Sequence, residues 1–210
     1  MMHPDKLQTL AKKLESNGFE VHIHADRAAA VPVILAKIPT NATIGRTGSA
    51  TCAALGLYDR LGERGNTIFD PYLPELSDEE KEKIRRRAQQ ADVLLTGTNA
   101  ITELGHLVSI DGVGNRVSAQ IFGPRQVVII AGTNKVAADL PAAIKRIKTL
   151  ACPPNAKRLK LETPCAHDKP CPPPDGCRSP GRMCNATVIH ERRPRLTPIR
   201  IHLINEDLGF

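Results

Sequence analysis

Between Thr96 and Asp139 the chain gathers side chains suited to handling a small molecule. Two carboxylates, Glu103 and Asp111, two amides, Asn99 and Asn115, and one guanidinium, Arg116, fall close together there. Thr98, Thr102 and His106 add further polar groups, and Gly97, Gly105, Gly112 and Gly114 are spaced among them. Glycine permits positive φ and lets a ligand approach the backbone closely. Two apolar runs bracket these polar residues, Asp92–Thr96 (DVLLT) and Gln126–Ala131 (QVVIIA), and both read as buried strands. Ligands of open α/β sheets sit outside the carboxyl ends of strands. The stretch therefore reads as a small-molecule site, in preference to a merely compact turn.

A second candidate lies upstream, in Gly45–Thr51 (GRTGSAT). A strand, a glycine-rich turn and a helix in succession aim free backbone N–H groups at an anion. Gly48 would supply backbone, and Ser49 and Thr51 hydroxyl donors. Ordinary capping of the following helix by Ser49 explains the same residues, and both readings stand. The turn matches neither a Walker A loop nor a G-x-G-x-x-G fingerprint.

The third candidate is thiol chemistry. Cys165, Cys171, Cys177 and Cys184 follow one another in a proline-rich segment, with Cys152 a little upstream. Four thiolates suit an iron–sulfur cluster or zinc. The spacings are longer than the C-x2-C pairs of zinc ribbons, so free thiols or disulfides remain an alternative. His167 could replace one cysteine. His22 and His24 share a strand face without a third ligand nearby and read as surface residues.

These groups need elements to hold them. Leu7, Leu10, Ala11 and Leu14 predict a helix over Pro4–Asn17. A strand over Phe19–His24 follows, then a helix over Arg27–Lys37 capped by Asp26. Ala42–Gly45 reads as a strand, Cys52–Leu61 as a helix with Cys52 buried, and Thr67–Asp70 as a strand. Ser77-Asp-Glu-Glu80 opens a helix reaching about Gln90. Lys135–Leu150 reads as an amphipathic helix with Ala138, Leu140, Ala143, Ile144 and Ile147 inward. Strands alternating with helices imply a largely parallel sheet covered on both faces. Residues 151–185 hold five of the six cysteines and read as an irregular metal-binding elaboration within one domain, 1–210. Strands over Ala186–Glu191 and Ile199–Glu206 return the chain to that domain.

Composition narrows the classes. Hydrophobic residues make up 41% of the chain and aromatics 3%, which predicts an aliphatic core. No stretch approaches the roughly 20 apolar residues that cross a bilayer. The first residues lack a signal-peptide core, so a cytoplasmic protein without a membrane partner is expected. The formal charge is +7, concentrated in Lys83–Arg87, Lys145–Lys160 and Arg192–Arg195. Without aromatic stacking platforms this field does not point to nucleic acid. It suits a small anionic metabolite or a partner protein, and leaves a homo-oligomer open.

The segments TGTNAITELGHLVSIDGVGNRV, FGPRQVVIIAGTNKV, PPNAKRL and the terminal LGF resemble the LUD-domain, or lactate-utilisation, family. GRTGSAT resembles that family's phosphate-loop-like turn, and the cysteine segment resembles a subgroup with a PC…C…C…C ending. The middle pair is commonly closer in that subgroup than Cys171 and Cys177 are here. The resemblance implies a three-layer α/β/α Rossmann-like fold, similar to glucosamine-6-phosphate deaminase, ribose-5-phosphate isomerase and CoA transferases. It further implies a subunit or accessory factor in oxidation of L-lactate to pyruvate, beside flavin- or iron–sulfur-containing partners. On that reading Glu103 and Asp111 sit near a hydroxy- or keto-acid whose carboxylate Arg116 pairs, Asn99 and Asn115 orient it, and Gly48 and Ser49 hold an anionic group. The wider fold implies instead a stand-alone enzyme on a sugar-phosphate or CoA-ester, with Glu103 as base or nucleophile. A metal-binding sensor or scaffold without turnover is the third expectation.

Overall fold

The computed structural model describes residues 1–172 and 176–210. Helix α1 (Pro4–Ser16) starts with Pro4 in its first turn and buries Leu7, Leu10, Ala11 and Leu14. After it come β1 (Glu20–His24), α2 (Arg27–Ala36) and β2 (Ile44–Arg46). Asp26 accepts from the Ala29 N–H and caps α2. The helix expected over Cys52–Leu61 is two, α3 (Ala50–Ala54) and α4 (Leu57–Glu63). Gly56 divides them, with φ of 59°, a left-handed conformation that ends one helix and starts another.

The chain continues through β3 (Ile68–Phe69) and α5 (Asp78–Ala88) to β4 (Val93–Gly97). A full capping box between Ser77 and Glu80 opens α5. Every residue of β4 is buried, as expected of a parallel strand covered on both faces. Then follow β5 (Ala100–Thr102), β6 (Leu107–Asp111), α6 (Asn115–Ile121), β7 (Gln126–Gly132), β8 (Val136–Ala137), α7 (Leu140–Arg146), α8 (Cys152–Arg158), β9 (Ala186–His190) and β10 (Ile199–Ile204).

Among the described residues, the large sheet runs β1-β10-β7-β4-β2-β3 with every pairing parallel. Alternate strand residues face opposite layers. Val93, Leu95, Val128 and Ile130 pack with α2, α3 and α4. Leu94, Val127, Ile129, Ile201 and Leu203 pack with α1 and α6. The result is the expected three-layer α/β/α Rossmann-like architecture.

Four departures matter for the site. A second sheet, β8-β5-β6-β9, was not expected; strands of two or three residues carry too little periodicity to be read. Its mainly antiparallel pairing lets β6 cross from the site to the cysteine segment through β9. The helix expected from Lys135 starts only at Leu140, capped by Asp139, and Ala138 is exposed. The segment after Ala151 is also less irregular than expected. A π-helical turn over Ile147–Ala151 links α7 to α8, which places Pro153 and Pro154 in its first turn. The wider turn tolerates their missing N–H groups. Finally, His24 is not a surface residue. Register pairs His22 with His202 on β10, His24 Nε2 lies 2.9 Å from His202 Nδ1, and both rings stack on His202.

Candidate functional site

Three parallel strands end at one rim. β2 runs into the Gly48–Thr51 turn, β4 into Gly97–Asn99, and β7 into the Thr133–Lys135 turn. Between this rim, the small sheet and α8 lies a cavity of about 480 Å³. Gly48, Ser49, Thr51, Asn99, Asp111, Asn115 and Arg116 all line it. The two stretches singled out in the sequence thus meet across the strand ends.

Glu103 does not join them. It is exposed on the β5–β6 turn, where its N–H donates to the Ala137 carbonyl. That turn is fastened to α1: Asn17 Nδ2 donates to the carbonyls of Leu104 and Gly105 at 3.0 and 3.1 Å. A side chain on Gly105 would meet the Lys13 backbone at 2.8 Å. The hairpin carries Glu103 away from the cavity, so a base or nucleophile role for it there is withdrawn.

The residues that do converge are mostly occupied with structure. Asp111 accepts from the backbone N–H groups of Arg116 and Val117 at 3.1 and 3.2 Å, which caps the first turn of α6. Its carboxylate also lies 3.8 Å from Arg116 Nε. Arg116 Nη2 donates to Asn99 Oδ1 and to the Ile110 carbonyl, and Nη1 donates to the Gly97 carbonyl. With both Nη2 hydrogens committed, a two-pronged grip on a ligand carboxylate would break existing bonds. Burial lowers the Arg116 pKa, partly opposed by Asp111. Arg116 is therefore a brace that ties β4 to β6. Asn99 Oδ1 is spent on Arg116 and the Ile110 N–H, leaving its amide nitrogen to face the cavity.

The glycine-rich turn does cap a helix. Ser49 Oγ accepts from the Cys52 N–H at 3.2 Å, although α3 is only one turn long. Gly48 has a separate reason to be glycine: an added Cβ would lie 3.1 Å from the Tyr72 hydroxyl. Cys52 is fully buried and its thiol is pushed up to about 11 by that burial, so it packs as an apolar residue.

Sequence reading missed several lining residues: Tyr72, Arg85, Lys135, Arg158 and Phe210. Lys135 is the most consequential. It is 4% exposed, and its Nζ donates to Thr51 Oγ1 at 2.8 Å and to the Thr98 carbonyl at 3.1 Å. Burial lowers its pKa to about 7, with Arg146 and Arg116 adding repulsion. The signal was present: Lys135 stands three residues beyond a buried parallel strand, where ligand-binding groups collect.

The cysteine segment forms the opposite wall. Cys152 lines the cavity, and its thiol is pushed up to about 12, first by burial and then by Cys184, Cys165 and Cys171. Cys171 is raised by burial and by Cys165, Cys184 and Cys177. The five thiols are thus electrostatic neighbours, and all are free. His167 pairs instead with Glu162 at 3.0 Å. The donor set has the right chemistry for a thiolate-bound metal. Its present spacing does not close a shell: among the described residues no group of three or more His, Cys, Asp and Glu is placed to hold an ion.

A parallel α/β/α sheet with a basic cleft at its strand ends defines the class. Within that class the chain belongs to the LUD-domain family, whose model matches residues 7–204. Among solved structures it is similar to a DUF162 family protein from Deinococcus radiodurans, with a TM-score of 0.54 and 10% identity over 97% of this chain and 99% of that one. At such identity the likeness concerns the fold alone. No curated protein matches the chain. No helix among the described residues is long and apolar enough to cross a membrane.

Proposed function

We propose that this protein binds a small hydroxy- or keto-acid in the strand-end cavity and works as a subunit or accessory factor of lactate oxidation. LUD-family membership supports a role related to lactate utilisation. The observation that carries the ligand class is the balance of charge on the cavity wall. Arg85, Arg116, Arg158 and Arg182 line it against one carboxylate, Asp111, so the field favours an organic anion. Ser49, Thr51 and the amide of Asn99 supply neutral donors for orientation. Calorimetric titration with lactate and pyruvate tests this. Binding should weaken with added salt and again in Arg158→Ala. Absence of binding by either acid at concentrations of about millimolar order (roughly 4 kcal/mol of binding free energy) refutes the proposal.

The cavity's size favours a second reading. About 480 Å³ lies within the range of sites for much larger ligands. A stand-alone enzyme acting on a sugar-phosphate or CoA-ester would use that space, and would turn over without partner subunits.

A Cys-ligated centre built from Cys165, Cys171, Cys177 and Cys184 belongs to the same proposal, with iron–sulfur first and zinc second. Its support is the set of thiol donors on one segment, whose charges raise one another's pKa. Closing a shell would require the segment to draw together around the metal, as coupled binding and folding allow. Protein purified without oxygen should carry either broad absorption near roughly 400 nm or one tightly bound zinc. A metal-free protein that gains neither on reconstitution removes the centre and leaves a non-metal scaffold.

A further inference from the structure

We propose that Lys135 is the covalent centre of the cavity, an amine that condenses with the carbonyl of a 2-oxo acid to form an imine. The inference rests on the anion-site reading and goes further by naming the reacting atom.

Geometry supports it before any titration argument. Lys135 Nζ has two protein partners, Thr51 Oγ1 and the Thr98 carbonyl. A neutral amine has two N–H donors and one lone pair. Those two acceptors satisfy the donors and leave the third position, the lone pair, without a hydrogen-bond partner among the described residues. An ammonium would instead carry a third N–H without an acceptor, which burial penalises. Nor is there a carboxylate to hold the charge, since no ion pair to Lys135 forms among the described residues. The Thr51 hydroxyl donates onward to the Leu208 carbonyl at 3.3 Å, which fixes it as the acceptor toward Lys135.

Space is also reserved beside the amine. A Cβ on Gly97 would stand 3.8 Å from Lys135 Nζ and 3.0 Å from Ser49 Oγ. Glycine at 97 keeps open the gap between nucleophile and hydroxyl. The near-neutral pKa of about 7 agrees with this arrangement: a desolvated lysine is a nucleophile at ordinary pH.

The step balances without an oxidant. The Nζ lone pair attacks the carbonyl carbon, the C–N bond forms, and the π pair moves to oxygen. Nitrogen loses a proton and oxygen gains one, giving a carbinolamine. The nitrogen lone pair then forms C=N as the C–O bond breaks, and hydroxyl leaves as water with a proton taken from solvent at the cavity mouth. The substrate carboxylate stays among Arg85, Arg158 and Ser49.

The test is reductive trapping on the full-length protein. Wild type, Lys135→Arg and Lys135→Gln are incubated with pyruvate and borohydride, then examined by intact mass and peptide mapping, while calorimetry follows pyruvate binding in parallel. The expected result is one reduced pyruvyl adduct on the peptide containing Lys135. Its formation should be half-maximal near pH 7, and should drop about tenfold or more in both variants. Labelling spread over other lysines, or rising only near the ordinary lysine pKa of about 10.4, overturns the inference. Pyruvate binding without an adduct overturns it while leaving the anion site intact; loss of both binding and adduct removes both. Should the variants misfold, the wild-type peptide map and its pH profile decide alone.

Discussion

Acidification should reveal the buried imidazole of His202. This ring is fully enclosed, between His22 and His24 on β1. Its Nδ1 is engaged with His24, while its buried Nε2 has no hydrogen-bond partner among the described residues. A second proton would therefore place a charge and an unanswered N–H in the interior. Burial, then His24, His22, Arg200 and Lys37, lower its pKa from 6.5 to about 3. As pH falls below 6.5 the unfolded chain takes up the proton first, so folding free energy is lost from there down to about pH 3. Linkage puts the loss from His202 alone at about 2 kcal/mol between pH 7 and pH 5. For a chain of this size that is a fall of about 4–8 °C in Tm. Urea unfolding of wild type and His202→Leu at pH 7, 6 and 5 isolates the ring, because His24 and His190, both also lowered by burial, remain in the variant. The variant should start less stable and lose about 2 kcal/mol less on acidification. Parallel pH dependences in the two proteins would refute the argument.

Arg116→Ala should cost about 3 kcal/mol in chemical denaturation, because it leaves the half-buried Asp111 carboxylate without its counter-charge and removes the guanidinium bonds to Asn99 and the Ile110 carbonyl. Asp111→Ala should cost about 1 kcal/mol through the loss of its cap on α6, again read by denaturation. Gly97→Ala should cost about 1 kcal/mol of stability through tightened packing but weaken pyruvate binding about tenfold, equal to about 1.4 kcal/mol, since the new methyl enters the gap beside Lys135. Gly132→Ala should fail to fold or unfold early on heating, because its methyl would lie 2.5 Å from the Glu206 carbonyl.

The large sheet was legible because its central strands are long apolar runs, and the helices because caps such as Asp26 and Ser77 mark their starts. The small sheet was not, because Ala100–Thr102 and Val136–Ala137 are too short to show a period. That gap misplaced Glu103: as loop it belonged to the site, but as hairpin turn it belongs to α1. Arg116 was rightly put at the rim, yet its partners are carbonyls, which no sequence pattern displays. Lys135 was hidden by the apparent helix that follows it. His24 looked exposed because its companion, His202, lies at the other end of the chain.

The cleft borrows one of its walls from the thiol-bearing segment. Gly181, Arg182, Met183 and Asn185 face the strand ends, and Asn185 is stitched to the Asp111 and Gly112 carbonyls. Gly112 has no room to yield, since even a methyl there would stand 3.0 Å from Met183 Cα. On the proposed ligand site and thiol centre, a change at Cys177 or Cys184 that shifted this backbone would alter the grip on a guest, and by reciprocity the guest would bias the sulfurs by the same factor.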